Sequence, residues 1–75
     1  MTANLGFLIG AGLAVLAGLG AGIGIGVATN GATQAISRQP EASGKIMTVF
    51  ILGIALAEAT AIYGFVIAIL IFTKA

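Results

Sequence analysis

Glu58 is the one charged side chain in a long apolar stretch, preceded by Ile51, Leu52, Ile54 and Leu56 and followed by Ala59, Ala61 and Ile62. A carboxyl group there can carry a proton, bind a cation or anchor an ion pair. The chain supplies no partner for the last: Arg38 and Lys45 lie far back in the sequence, and Lys74 is ~24 Å away along a helix rising ~1.5 Å per residue. In a bilayer, a charged carboxylate at mid-depth costs ~2.5–3.5 kcal/mol on insertion scales. The group should therefore be neutral in lipid and ionise only beside water or an external cation, which is how a proton carrier behaves. The plainer alternative is a neutral Glu that donates one interhelical hydrogen bond. Alanines at 55, 57, 59 and 61 leave little bulk around it, which suits a group that another protein must reach.

The surrounding elements decide whether Glu58 lies in lipid. The chain has 75 residues, of which 60% are hydrophobic and 7% charged, with a formal charge of +1. A soluble fold of this size buries little surface, and there is no cysteine to staple one. With no His or Cys and no basic patch, metal centres and nucleic-acid binding drop out. No charged residue occurs from Met1 to Ser37, more than the ~20 apolar residues a span requires. The uncharged start and the long apolar run do not fit a cleaved secretory signal.

Three zones follow: apolar Leu5 to Ala28, polar Thr29 to Lys45, and apolar Ile46 to Phe72. Backbone groups left unpaired in hydrocarbon are too costly, so both apolar zones should be helices. Pro40 pushes Gln39 out of helical geometry and sets the turn. The expected fold is all-α: a single transmembrane two-helix hairpin over 1–75, with helix 1 at about 3–37, a polar loop at about 38–43 and helix 2 at about 44–74. Helix 1 should run ~45–50 Å, longer than the ~30 Å hydrocarbon core, so the loop should stand clear of lipid. Arg38 and Lys45 near the loop against Lys74 at the other end place the loop in the cytoplasm or its organellar equivalent.

Helix 1 carries glycines at 18, 20, 22, 24 and 26. Steps of four drift by only ~40°, so Gly6, Gly10, Ala14, Gly18, Gly22 and Gly26 make one small-residue stripe. Gly20, Gly24, Ala28 and Ala32 make a second on roughly the other side. Small residues let membrane helices approach closely, and two such faces per copy predict a cylindrical homo-oligomeric ring. No dinucleotide-binding G-x-G-x-x-G is present. On helix 2, Gly53, Ala57, Ala61, Gly64 and Ala68 form a further stripe expected to lie against helix 1, with Glu58 at its border.

Ser37-Arg38-Gln39-Pro40, followed after ten residues by Ile51-Leu52, Leu56 and Glu58, resembles the signature of the c-subunit, or proteolipid, of F-type ATP synthases. The glycine repeat extends the resemblance over essentially the whole chain. It implies a non-catalytic rotor ring with helix 1 inside and helix 2 outside. Glu58 would be the reversibly protonated ion-binding carboxylate, Gly18 to Gly26 the tight inner wall, and Arg38, Gln39 and Pro40 the loop that touches the central stalk of the catalytic head. It also implies an arginine on the stator's a-subunit, in the membrane sector, that meets each carboxylate in turn. Membrane lipid is the remaining partner.

The expected cargo is H⁺, with no cofactor and no bound metal. Sodium needs several hard oxygen ligands. Sodium-binding relatives look as if they place a glutamine among the helix 1 glycines and a hydroxyl directly after the carboxylate, where this chain has Ile25 and Ala59. Thr60 and Tyr63 remain as candidate hydrogen-bonding groups near the acid. A sodium-translocating ring and a small oligomeric channel are the alternatives, although a channel wants a polar stripe that neither helix supplies at membrane depth. The Arg-Gln-Pro form of the loop looks more bacterial or plastid-like than the Arg-Asn-Pro form commoner in mitochondria, so a bacterial cell membrane is expected, with a thylakoid or mitochondrial inner membrane as the alternatives.

Overall fold

A computed structural model describes residues 2–74. Helices α1 (Thr2–Val15) and α2 (Ala17–Arg38) form one rod and α3 (Ser43–Phe72) the other, joined by Gln39 and a short 3₁₀ turn at Pro40–Ala42. The molecule measures 59 × 15 × 8 Å, the dimensions of two helices side by side. Asn4–Arg38 and Pro40–Phe72 each contain an 18-residue stretch of high mean hydropathy, 2.1 and 2.2, and are long and apolar enough to cross a membrane. They are not core helices of a water-soluble fold, because only Ala68 is buried among the described residues. Leu19, Ile23, Val27, Leu52, Leu56 and Phe72 are more than half exposed, so these surfaces are built to meet lipid or other protein.

The turn is tighter than the sequence suggests. Helix α2 continues through Arg38; Gln39 departs from helical geometry, at φ −134° and ψ 73°, and Ala42, at φ −98° and ψ 8°, departs less where the turn enters α3. Its N–H still closes the helix on the Ala35 carbonyl at 2.9 Å, and the Ala42 N–H returns to the Gln39 carbonyl at 3.0 Å. Pro40 sits at the first position of the 3₁₀ turn, where its fixed φ helps and its missing N–H does no harm. The expected loop at about 38–43 is thus a single non-helical residue and one turn. At the far end α3 stops at Phe72, where helix 2 had been expected to reach about 74, and Thr73 and Lys74 fold into a closing turn.

The first rod is also interrupted, where one helix from about 3 to 37 was expected. At Leu16 the N–H bonds three residues back to Leu13 at 3.2 Å, and the Leu19 N–H bonds three back to Leu16 at 3.0 Å. Three-residue spacing winds the backbone more tightly than an α-helix and marks a local adjustment. It lies beside a close approach of the two rods. A Cβ on Gly64 would come within 2.5 Å of the Ala14 carbonyl oxygen and 2.7 Å of the Ala17 Cβ.

The seam between the rods is lined by alanine. Ala14, Ala17, Ala21, Ala32 and Ala35 are half-buried on the first rod, and Ala57, Ala61 and Gly64 on α3. The helix 2 stripe therefore lies on helix 1 as expected, except at Gly53, which is exposed. The glycine run does not enter the seam: a Cβ on Gly18, Gly20, Gly22, Gly24 or Gly26 would meet nothing within 4 Å. The reason is helical drift. A stripe that faces α3 at Gly10 and Ala14 has rotated off to one side by Gly22, since each step of four turns it by ~40°.

Candidate functional site

Glu58 lies in the middle of α3 because nothing in Ser43–Phe72 breaks the helix: proline is absent and its two interior glycines are tolerated. It is exposed on the hairpin. Ala57, one residue earlier, faces the seam, so Glu58 is turned ~100° away, onto one flank. No side-chain hydrogen bond reaches it among the described residues. The contacts of Gly64 with Ala14 and Ala17, and of Gly10 with Ile71, set the register between the rods and put Glu58 roughly level with Gly22.

Thr60 and Tyr63 are not brought to Glu58 within this hairpin. Two residues turn the helix by ~200° and five by ~500°, which places both on the other flank. Thr60 donates its hydroxyl to the Ala57 carbonyl at 2.6 Å. Tyr63 is 69% exposed. On that same flank a groove of about 890 Å³ runs between α2 and α3 toward the turn, bounded by Gly24, Gly31, Val49 and Gly53, with Gln39 and Lys45 at its polar end. The two flanks are therefore unlike: one bears Glu58, the other the groove, the hydroxyls and Gly24.

Ile25 is half-buried against α3, and its carbonyl accepts the Thr29 hydroxyl at 2.7 Å. Ala59 contributes no oxygen beyond its backbone. Among the described residues there is no group of three His, Cys, Asp or Glu side chains that could hold a metal ion. Arg38, Gln39 and Pro40 sit exposed at the apex, at the opposite end of the rods from Lys74. The alanine seam is the feature that the sequence pattern hides, although alanines at 14, 17, 21, 28, 32 and 35 repeat at helical spacing, because the denser glycine run overlies it.

These features define a membrane hairpin that offers one carboxyl at the middle of one span and small-residue faces on both sides. The family of ATP synthase c-subunits matches residues 9–71. An ATP synthase c-subunit of Clostridium botulinum is 69% identical over 67 residues, covering 89% of this chain and 94% of the relative. That of Caldanaerobacter subterraneus is 67% identical over 63 residues, covering 84% and 86%. That of Clostridium beijerinckii is 59% identical over 64 residues, covering 85% and 90%. The chain belongs to the ATP synthase c-subunit family. It is a non-catalytic subunit of the membrane sector, with a rotor-ring role.

Proposed function

We propose that this chain carries protons across the membrane on Glu58 and so couples proton flow to rotation of the ring and to ATP synthesis. The observation that carries this reading is the position of Glu58: mid-span, exposed on a flank, with every other charged residue of the described chain near the ends of the rods. A carboxyl so placed tolerates lipid as the neutral acid, and it can ionise only opposite an external cation, here an arginine of the stator's a-subunit. Rotation follows because the ionised form must regain its proton from an aqueous half-channel before re-entering lipid. One charge crossing 100 mV is worth ~2.3 kcal/mol, so several copies turn for each ATP.

Unlike flanks favour a head-to-tail ring, since a heterologous contact closes when its rotation divides a full turn. In such a ring the Glu58 flank of one copy faces the groove flank of the next. Tyr63 and Thr60 then meet the carboxyl of the adjacent copy rather than their own. The first rod forms the inner wall and α3 the outer one. Arg38, Gln39 and Pro40 touch the central stalk on the cytoplasmic side of a bacterial cell membrane.

The lack of side-chain oxygens at Ile25 and Ala59 supports H⁺ over Na⁺, because hard cations need several oxygen ligands while a proton needs one acceptor. The test is carbodiimide modification of Glu58 in reconstituted rings, followed across pH with and without sodium. We expect a rate set by pH alone. Protection by sodium at fixed pH would assign a sodium carrier instead.

A further inference from the structure

We propose that Gly64 is a positioning residue for Glu58: its contact with Ala14 and Ala17 pins α3 to the first rod and fixes where the carboxyl stands. This rests on the reading of Glu58 as the carrier. Of the chain's 12 glycines, Gly64 is the one at which a Cβ would collide, 2.5 Å from the Ala14 carbonyl oxygen and 2.7 Å from the Ala17 Cβ. The first obstacle is main chain, so no side-chain rotation relieves it. At Gly10, on the same seam, a Cβ would sit in ordinary contact at 3.8 Å from Ile71, and at Gly53 it would meet open space.

The opposing rod bears a second mark of the same contact. Ala14 and Ala17 bracket Leu16, where the backbone tightens to three-residue hydrogen bonds. Glycine on one side and a rewound turn on the other together allow an approach that two regular helices with Cβ atoms would not. Helix α3 runs unbroken through Ser43–Phe72, so a displacement at Gly64 is transmitted as a rigid body. Glu58 lies six residues earlier, ~9 Å along the axis, and its neighbours Ala57 and Ala61 are half-buried on the same seam. A ring presents many copies of the carboxyl in succession to one stator, and each must stand at the same height and offset. A hard contact beside the site supplies that constancy better than a soft one.

Within its own hairpin no other charged side chain lies near Glu58: α1 and α2 carry none before Arg38, α3 carries only Lys45 near its start besides Glu58 itself, and Tyr63 is on the other flank, where in the proposed ring it faces the carboxyl of the adjacent copy.

The experiment uses full-length rings carrying Gly64→Ala, with Gly10→Ala, on the same seam but with room for a Cβ, as the matched control. One measurement is the separation of nitroxides at Leu13 and Phe65 in rings diluted with unlabelled copies. The other is the pH of half-maximal carbodiimide modification of Glu58. We expect Gly64→Ala to widen the separation by roughly 1 Å, the shortfall from ordinary contact, and to shift the pH of half-maximal modification. Gly10→Ala should move neither. An unchanged midpoint in Gly64→Ala, or an equal shift in Gly10→Ala, would overturn the proposal. Should Gly64→Ala rings fail to assemble, the separation in detergent-solubilised hairpins decides: widening supports the pin and an unchanged value removes it. If wild-type Glu58 showed no pH-dependent modification, the carrier reading would fall, and the separation measurement would still decide for or against Gly64.

Discussion

At the scale of single residues the chain concentrates its chemistry in one oxygen pair. Replacing Glu58 with Gln keeps shape and hydrogen-bonding capacity but removes the exchangeable acid. Rings of Glu58→Gln should assemble and insert, while ion-driven ATP synthesis in vesicles falls by at least about 100-fold, the lower range for loss of an acid–base group. Synthesis at the wild-type rate would sink the assignment. Glu58 was legible in the sequence because a lone carboxyl in an apolar run is costly and so calls for a reason. Its surroundings were harder to read. Thr60 and Tyr63 are close to it in the sequence, yet helical rotation carries both to the other flank, and Thr60 spends its proton on the Ala57 carbonyl.

At the scale of the helices, two kinds of small residue divide the labour. Alanine forms the seam inside the hairpin, while the glycine run from Gly18 to Gly26 is left open on the flanks. Gly22→Leu should therefore leave the hairpin intact and damage contacts between copies, at roughly 1–3 kcal/mol for each interface in the ring. The check is to compare helicity of the detergent-solubilised hairpin, expected unchanged, with recovery of full-size ring, expected to collapse. Recovery of a stable full-size ring would show that the glycines do not face a neighbour. Two spans, their order and the turn at Pro40 could be read from hydropathy and one proline. The interruption at Leu16 could not, because its cause is not local: Leu13 to Leu19 contains no breaker beyond a single glycine, and the tightening coincides with a contact some 50 residues along the chain, at Gly64.

At the scale of the whole molecule, the hairpin is 59 Å long and its cross-section is only 15 × 8 Å. The hydrocarbon core is ~30 Å thick, so both ends stand well outside it. Arg38→Ala, at the end carrying the turn, should leave carbodiimide modification of Glu58 and passive proton flux unchanged, and should lower ATP made per proton by weakening the grip on the stalk. Full coupling and tight head binding in that variant would move the stalk contact elsewhere. The expectation of a ring came from two small-residue faces, whereas the handedness that makes the flanks unlike depends on the register of α2 against α3, which no single segment encodes.

The turn has a mechanical consequence. With Gln39 as the one residue outside the helices and Pro40–Ala42 wound into a 3₁₀ turn, the apex is a short, stiff prong and not a slack tether. On the proposed mechanism, torque entering at Glu58 would reach the apex through both rods, with little lost to bending at the turn. Elastic compliance that smooths the stepping of such a rotor would then reside outside this chain.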